Sequence, residues 1–157
     1  MKKLAVLGHP IGHTLSPVMH NASIEALGLA GEYVYDKLDV APDDLMERLA
    51  QLPGEGYAGV NLTIPLKEIA FQSLEKLDES AQILGAVNTV EFSESRLVGH
   101  NTDGYGFLKA LQEAFGKSAE GDTIFVLGCG GAGRAIALMA ALDGAKTITL
   151  ADIDADR

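Results

Sequence analysis

The glycine-rich turn at residues 128–133 constrains the fold most strongly, because it lies between an apolar strand and a helix. It has the spacing Gly128-x-Gly130-x-x-Gly133 and follows the apolar segment TIFVLG. The helix that it opens leads to a second apolar segment, KTITLAD. A strand, a crossover helix and a second strand form a right-handed unit with parallel strands. Residues 121–157 are therefore predicted to form a Rossmann-like βαβ unit.

This turn has the chemistry of a dinucleotide-binding loop. Gly128 allows a tight turn, Gly130 lets the backbone approach a pyrophosphate, and Gly133 allows the helix to pack closely on the strand. The helix N-terminus supplies N–H groups and the positive end of the helix dipole. The alternative is a glycine-rich turn with a structural role alone. The residues predicted to bind a cofactor are Gly128, Gly130, Gly131, Ala132 and Gly133.

Asp152 adds information on the cofactor. It stands at the end of the second strand, nineteen positions after Gly133. A carboxylate there accepts hydrogen bonds from a ribose 2′-hydroxyl and repels the 2′-phosphate of NADP, so Asp152 favours NAD. The alternative is that Asp152 only caps a loop.

The rest of the chain also alternates strand and helix patterns, which predicts an α/β fold throughout. YAGVNLTI has a strand pattern, and AVNTVEFSESRLVGHN predicts a hairpin with its turn near Ser93–Ser95. PLKEIAFQSLEKL has a helical pattern. Pro17 suits the first position of a helix capped by Ser16, and Asp103 suits the cap of a later helix.

The polar segment KSAEGD marks a candidate domain boundary. We predict an open α/β substrate domain at residues 1–103, a connecting helix and linker at 104–120, and an incomplete Rossmann domain at 121–157. Two parallel strands with one helix leave their edges and one face bare. We therefore expect the sequence to be truncated, or this half domain to be covered by other material.

Charge and composition exclude several classes of partner. The formal net charge of −10 argues against nucleic acid, whose phosphates need a basic surface, and against an anionic membrane surface. The single cysteine permits no intramolecular disulfide and fits a reducing cytoplasm. His9, His13 and His20 lack the acidic partners and the spacing of a metal site, so no metal is expected. The sequence leaves the oligomeric state open, a homodimer included.

Polar side chains occupy the loops GHTLSP, NLTIPLK, AVNT and GHNTDG, each predicted to follow an apolar strand. In an open α/β sheet, loops at the carboxyl ends of parallel strands converge on one crevice. One lysine and one carboxylate among neutral donors and acceptors suit a small polyol acid, and such a pair can transfer a proton beside a carbonyl. The residues of this predicted crevice are Thr14, Ser16, Asn61, Thr63, Lys67, Asn88, Thr102 and Asp103.

The motifs PIGHTLSPVMHN, GVNLTIPLK, GAVNTV, GHNTDGYGF and VLGCGGAGRA, in this order and at this spacing, resemble shikimate dehydrogenases. The resemblance spans nearly the whole chain. It implies an N-terminal α/β substrate domain, a Rossmann-like cofactor domain, and the NADPH-dependent reduction of 3-dehydroshikimate to shikimate in aromatic amino acid biosynthesis. It also implies that Lys67 and Asp103 are the catalytic pair and that Thr14 and Ser16 hold the substrate carboxylate. The remaining implied substrate contacts are Asn61, Thr63, Asn88 and Thr102.

Two places depart from the family pattern. Thr14 stands where the family has a serine. The hydroxyl is kept, but the added methyl group narrows the part of the predicted site next to residue 14. Asp152, Ile153 and Asp154 stand where NADP-binding members have Asn-Arg-Thr, so the arginine that would hold a 2′-phosphate is missing. An NAD-dependent quinate/shikimate dehydrogenase is therefore an alternative. A substrate-binding module without turnover is a second alternative, because family members continue beyond the length of this chain.

Overall fold

The computed structural model describes residues 1–93 and 96–154. By their internal contacts, the residues form two compact units, Met1–His100 and Asn101–Arg157. Residues 104–120, predicted as a separate connecting segment, belong to the second unit. The predicted hairpin turn near Ser93–Ser95 includes residues 94 and 95, which lie outside the described residues.

The first unit contains both strands and helices in alternation. Its strands are β1 (Lys2–Gly8), β2 (Tyr33–Asp39), β3 (Tyr57–Leu62), β4 (Lys76–Leu77), β5 (Thr89–Ser93) and β6 (Arg96–His100). Its helices are α1 (Ser16–Ala26), α2 (Leu45–Gln51), α3 (Leu66–Ser73) and α4 (Glu79–Leu84), with 3₁₀ turns at Pro42–Asp44 and Leu52–Glu55.

The described strands of the first unit form one mixed sheet in the order β2-β1-β3-β5-β6-β4. β1 pairs in parallel with β2 and β3, β4 pairs in parallel with β6, and β5 is antiparallel to both β3 and β6. The predicted α/β fold is confirmed, but the expectation that AVNT follows a parallel strand is wrong. AVNT precedes β5. Because β5 runs opposite to β3, its first residues still lie at the carboxyl ends of β1 and β3.

Apolar residues on the two faces of this sheet build two separate cores. The larger core joins alternate residues of β1 and β3 to buried leucines of α2 and α3, such as Leu49 and Leu66. The smaller core contains Val6, Ile11 and Tyr35, with Ile24 of α1 packed against it. Each fully buried leucine stabilises the fold by about 1.5–3 kcal/mol, so the face covered by α2 and α3 contributes most of the stability.

Two predicted helix limits are wrong. Ser16 is the first residue of α1 and not its cap, and its N–H donates to Thr14 Oγ1 at 3.3 Å. The helical pattern runs through Leu77, but α3 ends at Ser73. Leu74 takes an extended backbone with a ψ of 133° and enters the larger core. This change of direction lets β4 pair with β6.

The second unit contains α5 (Asp103–Phe115), β7 (Thr123–Leu127), α6 (Gly131–Leu142) and β8 (Thr147–Ala151). β7 and β8 pair in parallel, with Thr123 opposite Thr147 and Leu127 opposite Ala151. The βαβ unit predicted from the glycine spacing is therefore present.

Candidate active site

The carboxyl ends of β1 and β3 and the amino end of β5 meet at one edge of the sheet. In the pairing register, Asn61 of β3 lies opposite Thr89 of β5, and Thr89 lies opposite His100 at the end of β6. Thr63 follows β3, and its N–H donates to the carbonyl oxygen of Leu7 at 2.9 Å. This edge therefore brings together Asn61, Thr63 and Asn88 of the predicted set.

Asn88 is buried, with 7% of its surface exposed, and its backbone is held from both sides. Its N–H donates to the His100 carbonyl at 3.0 Å, and its carbonyl accepts from the Leu62 N–H at 2.8 Å. Its side-chain Oδ1 accepts from the Thr89 hydroxyl at 2.9 Å. Buried polar groups are normally hydrogen-bonded, and these bonds give Asn88 a defined position at the sheet edge.

Asn61 is the centre of a hydrogen-bond network that also includes Tyr35. Its Oδ1 accepts from the Tyr35 hydroxyl at 2.6 Å, while its Nδ2 donates to Thr89 Oγ1 at 3.0 Å and to the Asn88 carbonyl at 3.4 Å. Both amide hydrogens are used within the network, so a ligand would meet Asn61 through the second lone pair of Oδ1. Sequence reasoning missed Tyr35 and Thr89. The alternation in EYVYDKLDV is a signal that Tyr35 points inward.

The two hydroxyls predicted to hold a carboxylate lie side by side at the start of α1. Thr14 Oγ1 donates to Ser16 Oγ at 3.0 Å, and the Thr14 N–H donates to the Ile11 carbonyl at 3.2 Å. Lys37 Nζ donates to the Gly12 carbonyl at 3.0 Å and so anchors the loop to β2. Helix N-terminal N–H groups and two hydroxyls form a donor set that suits an anion.

Lys67 lies in the first turn of α3, two positions after Pro65. Its carbonyl accepts from the Val87 N–H at 3.0 Å. Val87 directly precedes Asn88, so the backbone of Lys67 is held next to that of Asn88. The ammonium-bearing side chain of Lys67 is half-buried.

Thr102 and Asp103 belong to the second unit, at the beginning of α5. Asp103 is the first residue of the helix, and Thr102 occupies the capping position without a side-chain cap. The prediction that Asp103 caps the helix is therefore wrong. The Asp103 N–H donates to Oδ1 of Asn101, which is 2% exposed. A carboxylate in the first turn is also stabilised by the helix dipole.

The glycine loop of the second unit has the close backbone packing of a dinucleotide site. Gly128 has a φ of +101°, which makes the tight turn after β7. A Cβ atom at Gly133 would lie 1.8 Å from the carbonyl oxygen of Gly128, so only glycine fits there. The first N–H groups of α6 have no partner within the helix and are available in this loop geometry to phosphate oxygens. These residues fit a dinucleotide.

Asp152 lies beside this loop. Its Oδ2 accepts from the Cys129 N–H at 2.6 Å, and its Oδ1 accepts from the Asp154 N–H at 2.9 Å. The carboxylate therefore stabilises the loop, which is the alternative role expected from the sequence. Ribose binding remains compatible with this role, because each carboxylate oxygen can accept more than one hydrogen bond.

Two histidines of the first unit, His9 and His20, have structural partners. His9 Nδ1 lies 2.6 Å from Asp39 Oδ1, and this hydrogen bond holds the pKa of Asp39 below its ordinary value. His20 stacks on Tyr35 with a centroid distance of 4.2 Å, and burial lowers the pKa of His20. Among residues 1–93 and 96–154, no group of three His, Cys, Asp or Glu side chains is arranged to hold a metal ion. None of the described helices combines the length and apolar character needed to cross a membrane.

An open cavity of about 300 Å³ lies on the α1 face of the first unit's sheet. Its polar lining includes His20, Tyr35, Asn61 and Thr89, and the remainder is largely apolar backbone and side chain from β1, β3 and β5.

Together these features define a class of α/β proteins in which a mixed-sheet unit with a polar edge is followed in the chain by a dinucleotide-type βαβ unit. Residues 6–90 match the family model of the shikimate dehydrogenase substrate binding domain. The chain belongs to this family. The family predicted from the sequence motifs is therefore confirmed.

Individual relatives agree with this assignment. The NADP(+) shikimate dehydrogenase of Methanopyrus kandleri is 43% identical over 98% of this chain and 52% of its own length. Shikimate 5-dehydrogenase from Thermus thermophilus, solved in complex with shikimate, is 43% identical with a TM-score of 0.87, over 99% of this chain and 58% of that chain. Shikimate 5-dehydrogenase from Listeria monocytogenes, solved with shikimate and NAD, is 37% identical with a TM-score of 0.86, over 99% of this chain and 53% of that chain. The chain thus spans about half the length of the relatives that it matches.

Proposed function

We propose that the protein acts as a shikimate dehydrogenase, which reversibly reduces 3-dehydroshikimate to shikimate with a nicotinamide cofactor. The observation that carries this proposal is the hydrogen-bonded edge of Asn61, Thr89 and Asn88, which lies within the segment matched to the substrate-binding family. An edge of fixed amides and hydroxyls suits a ring that carries several hydroxyl groups. A cytoplasmic location belongs to the same proposal and rests on the single cysteine.

In this proposal the substrate carboxylate binds to Thr14 and Ser16. Their adjacent hydroxyls and the N-terminus of α1 supply the donors that a carboxylate needs. Thr63, Asn88 and Thr102 contact ring hydroxyls, and Asn61 accepts through its remaining lone pair. The hydroxyl and amide donors leave the substrate with one favoured orientation.

Lys67 and Asp103 are proposed to handle the proton. The nicotinamide, when bound, supplies a hydride to the C3 carbonyl carbon. Lys67 donates a proton to the carbonyl oxygen as it becomes an alcohol and takes that proton back in the reverse direction, while the Asp103 carboxylate stabilises the charged form of the lysine. Lys67 belongs to the first unit and Asp103 to the second, and their pairing is proposed from the family resemblance of the motifs that carry them.

The test of this assignment is the variant Lys67→Ala. Turnover should fall by at least about a hundredfold, as loss of a general acid–base group usually causes, while the Kd for shikimate rises much less. Lys76→Ala is the matched control, because Lys76 is an exposed lysine of the same unit. A Lys67→Ala protein that retains a near-normal kcat would show that Lys67 is not catalytic.

For the cofactor, we propose that NAD is accepted at least as well as NADP. Asp152 stands beside the glycine loop, and its negative charge opposes a 2′-phosphate. The structure of the Listeria monocytogenes relative with NAD supports this choice, whereas the Methanopyrus kandleri relative is named for NADP(+). Values of kcat/KM for NADH and NADPH decide between them, and a clear preference for NADPH would overturn this part of the proposal.

Two alternative functions predict different results in substrate assays and binding titrations. An NAD-dependent quinate/shikimate dehydrogenase would oxidise quinate with a kcat/KM comparable to that for shikimate. A substrate-binding module would bind shikimate in a calorimetric titration but would not reduce oxidised cofactor in its presence.

A further inference from the structure

The helix α1 lies on one face of the sheet with little apolar anchorage. None of its eleven residues, all of which the structure describes, is buried. His20 stacks on the Tyr35 ring, and the half-buried Ile24 packs on the smaller core. By contrast, α2 places Leu45 and Leu49 fully inside the larger core. Apolar contact is non-directional, so stacking and packing hold α1 against the sheet but do not set its position along β2.

Two hydrogen bonds from the Asn21 side chain set that position. Nδ2 of Asn21 donates to the Tyr35 carbonyl at 2.8 Å, and Oδ1 accepts from the Tyr35 N–H at 2.9 Å. β2 stands at the edge of the described sheet and pairs with β1, so Asn21 takes the place at Tyr35 that a further strand would occupy. Because an N–H can only donate and a carbonyl can only accept, both bonds require one orientation of the Asn21 amide. Hydrogen bonds are directional, so this pair fixes α1 along β2.

The N-terminus of the helix that Asn21 fixes carries the two hydroxyls proposed to bind the substrate carboxylate. Ser16 is the first residue of α1 and precedes Asn21 by five positions, which is about 7.5 Å along the helix axis. Thr14 Oγ1 donates to Ser16 Oγ at 3.0 Å and accepts from the Ser16 N–H at 3.3 Å. An α-helix moves as one unit over such a distance, because its backbone hydrogen bonds join each turn to the next. The position of Asn21 therefore determines where both hydroxyls lie.

A second contact fastens the other end of the same segment to β2. Lys37 Nζ donates to the Gly12 carbonyl at 3.0 Å. Lys37 follows Tyr35 by two positions and so lies on the same side of the strand. The segment from Gly12 to Asn21 is thus held at both ends by one strand. The Lys37 side chain is exposed and flexible, so it restrains this segment less closely than the Asn21 amide does.

We propose that Asn21 is a positioning residue for carboxylate binding: by bonding to both backbone groups of Tyr35, it places Thr14 and Ser16 where their hydroxyls meet the substrate carboxylate. This inference rests on the proposed function, since it concerns the same substrate. Asn21 itself does not touch the substrate. Without the Asn21 amide, α1 can shift along β2 and carry the two hydroxyls with it, while the ring contacts proposed for β3 and β5 stay in place.

The test compares Asn21→Ala with Ser23→Ala in the intact protein. Both substitutions remove a polar side chain from α1, but the Ser23 hydroxyl donates within the helix, to the Met19 carbonyl at 3.0 Å. Alanine favours the helical conformation, so both variants keep α1. Each variant is titrated with shikimate and with its methyl ester, which keeps the ring hydroxyls but has no carboxylate charge.

Asn21→Ala should raise the Kd for shikimate about tenfold, the effect of weakening one hydrogen bond to a charged group. The Kd for the methyl ester should change by less than about twofold, because the ring contacts share no partner with Asn21. The preference for the acid over the ester therefore falls about tenfold. Ser23→Ala should leave both constants within about twofold of the wild type.

A second readout is the pair of backbone amide signals of Thr14 and Ser16 in a ¹⁵N NMR spectrum of the ligand-free protein. Asn21→Ala should shift or broaden both signals, whereas Ser23→Ala should not. The Leu49 signal of the larger core should stay unchanged in both variants and so report that each is folded.

An Asn21→Ala protein that keeps its preference for shikimate over the ester and its Thr14 and Ser16 signals would overturn the inference. Equal losses of affinity for the two ligands would also overturn it, since they would indicate a general structural role. A wild-type protein that binds neither ligand would instead contradict the proposed function, and the Thr14 and Ser16 signals would still decide whether Asn21 positions them.

Discussion

Replacing Gly133 with alanine is expected to abolish tight cofactor binding. The added Cβ would lie 1.8 Å from the Gly128 carbonyl oxygen, where ordinary contact begins at 3.4 Å. The turn and the start of α6 must therefore separate by about 1.6 Å, the difference between these two distances. Misplacement of a binding group by about 1 Å can lower function about a hundredfold, and overpacking of this kind destabilises a fold by about 1–3 kcal/mol. We expect the affinity for the dinucleotide to fall about a hundredfold.

The assay is a calorimetric titration with NAD and NADP, followed by a separate titration with shikimate and a thermal unfolding scan. Shikimate affinity should change little, because the proposed contacts from Thr14 to Asn88 lie in the first unit and the atoms nearest to the added Cβ belong to Gly128 and Val126, not to Thr102. Gly106→Ala is the matched control, since it adds the same methyl group within the second unit and has no atom within 4 Å of the new Cβ. A Gly133→Ala protein that binds its cofactor within about threefold of the wild-type affinity would refute the assignment of this loop as the dinucleotide site.

Two further predictions concern stability. Leu49→Ala removes a fully buried side chain and should lower the free energy of unfolding by about 2–5 kcal/mol in urea titrations. Leu27→Ala, at a position that is 72% exposed, should lower it by less than about 0.5 kcal/mol. Equal losses in the two variants would contradict the described core. Burial raises the pKa of Asp78, but hydrogen bonds from Ser80, from the first turn of α4 and from His100 outweigh it and hold the pKa below 3.8. A carboxylate whose pKa is lowered by folding stabilises the fold at pH values above its unfolded-state pKa and loses that contribution as the pH falls through its folded-state pKa. Asp78→Asn should therefore flatten the loss of unfolding free energy below about pH 3.8. Wild-type and variant curves of unfolding free energy against pH that run parallel would show that the charge contributes nothing.

The sequence predicted those parts of the site that depend on local pattern. The spacing of Gly128, Gly130 and Gly133 after an apolar segment is sufficient to predict the turn, because backbone geometry leaves glycine as the residue that fits. The alternation in GVNLTIPLK likewise places Lys67 in the helix after Pro65. The family could be recognised because its motifs occur in one order along the chain.

The parts that sequence could not predict depend on contacts between distant elements. Strand direction in a mixed sheet depends on tertiary pairing, so AVNT was wrongly expected to follow a strand, although the hairpin of β5 and β6 was predicted and Asn88 lies at the expected edge. Tyr35 of β2 and Thr89 of β5 come close to Asn61 only through the pairing of β2, β1, β3 and β5 in one sheet, which no local pattern reports. The end of α3 is set by Leu74 entering the core, a packing effect that overrides helix propensity.

The central claim is the proposal that this family member interconverts shikimate and 3-dehydroshikimate with a nicotinamide cofactor. The most direct measurement is the initial rise of NADH or NADPH absorbance when the protein is mixed with shikimate and each oxidised cofactor in turn. We predict a rapid, shikimate-dependent rise that is at least as fast with NAD as with NADP and that Lys67→Ala nearly abolishes. No rise with either cofactor, in a protein that binds shikimate, would contradict the claim and support a binding module.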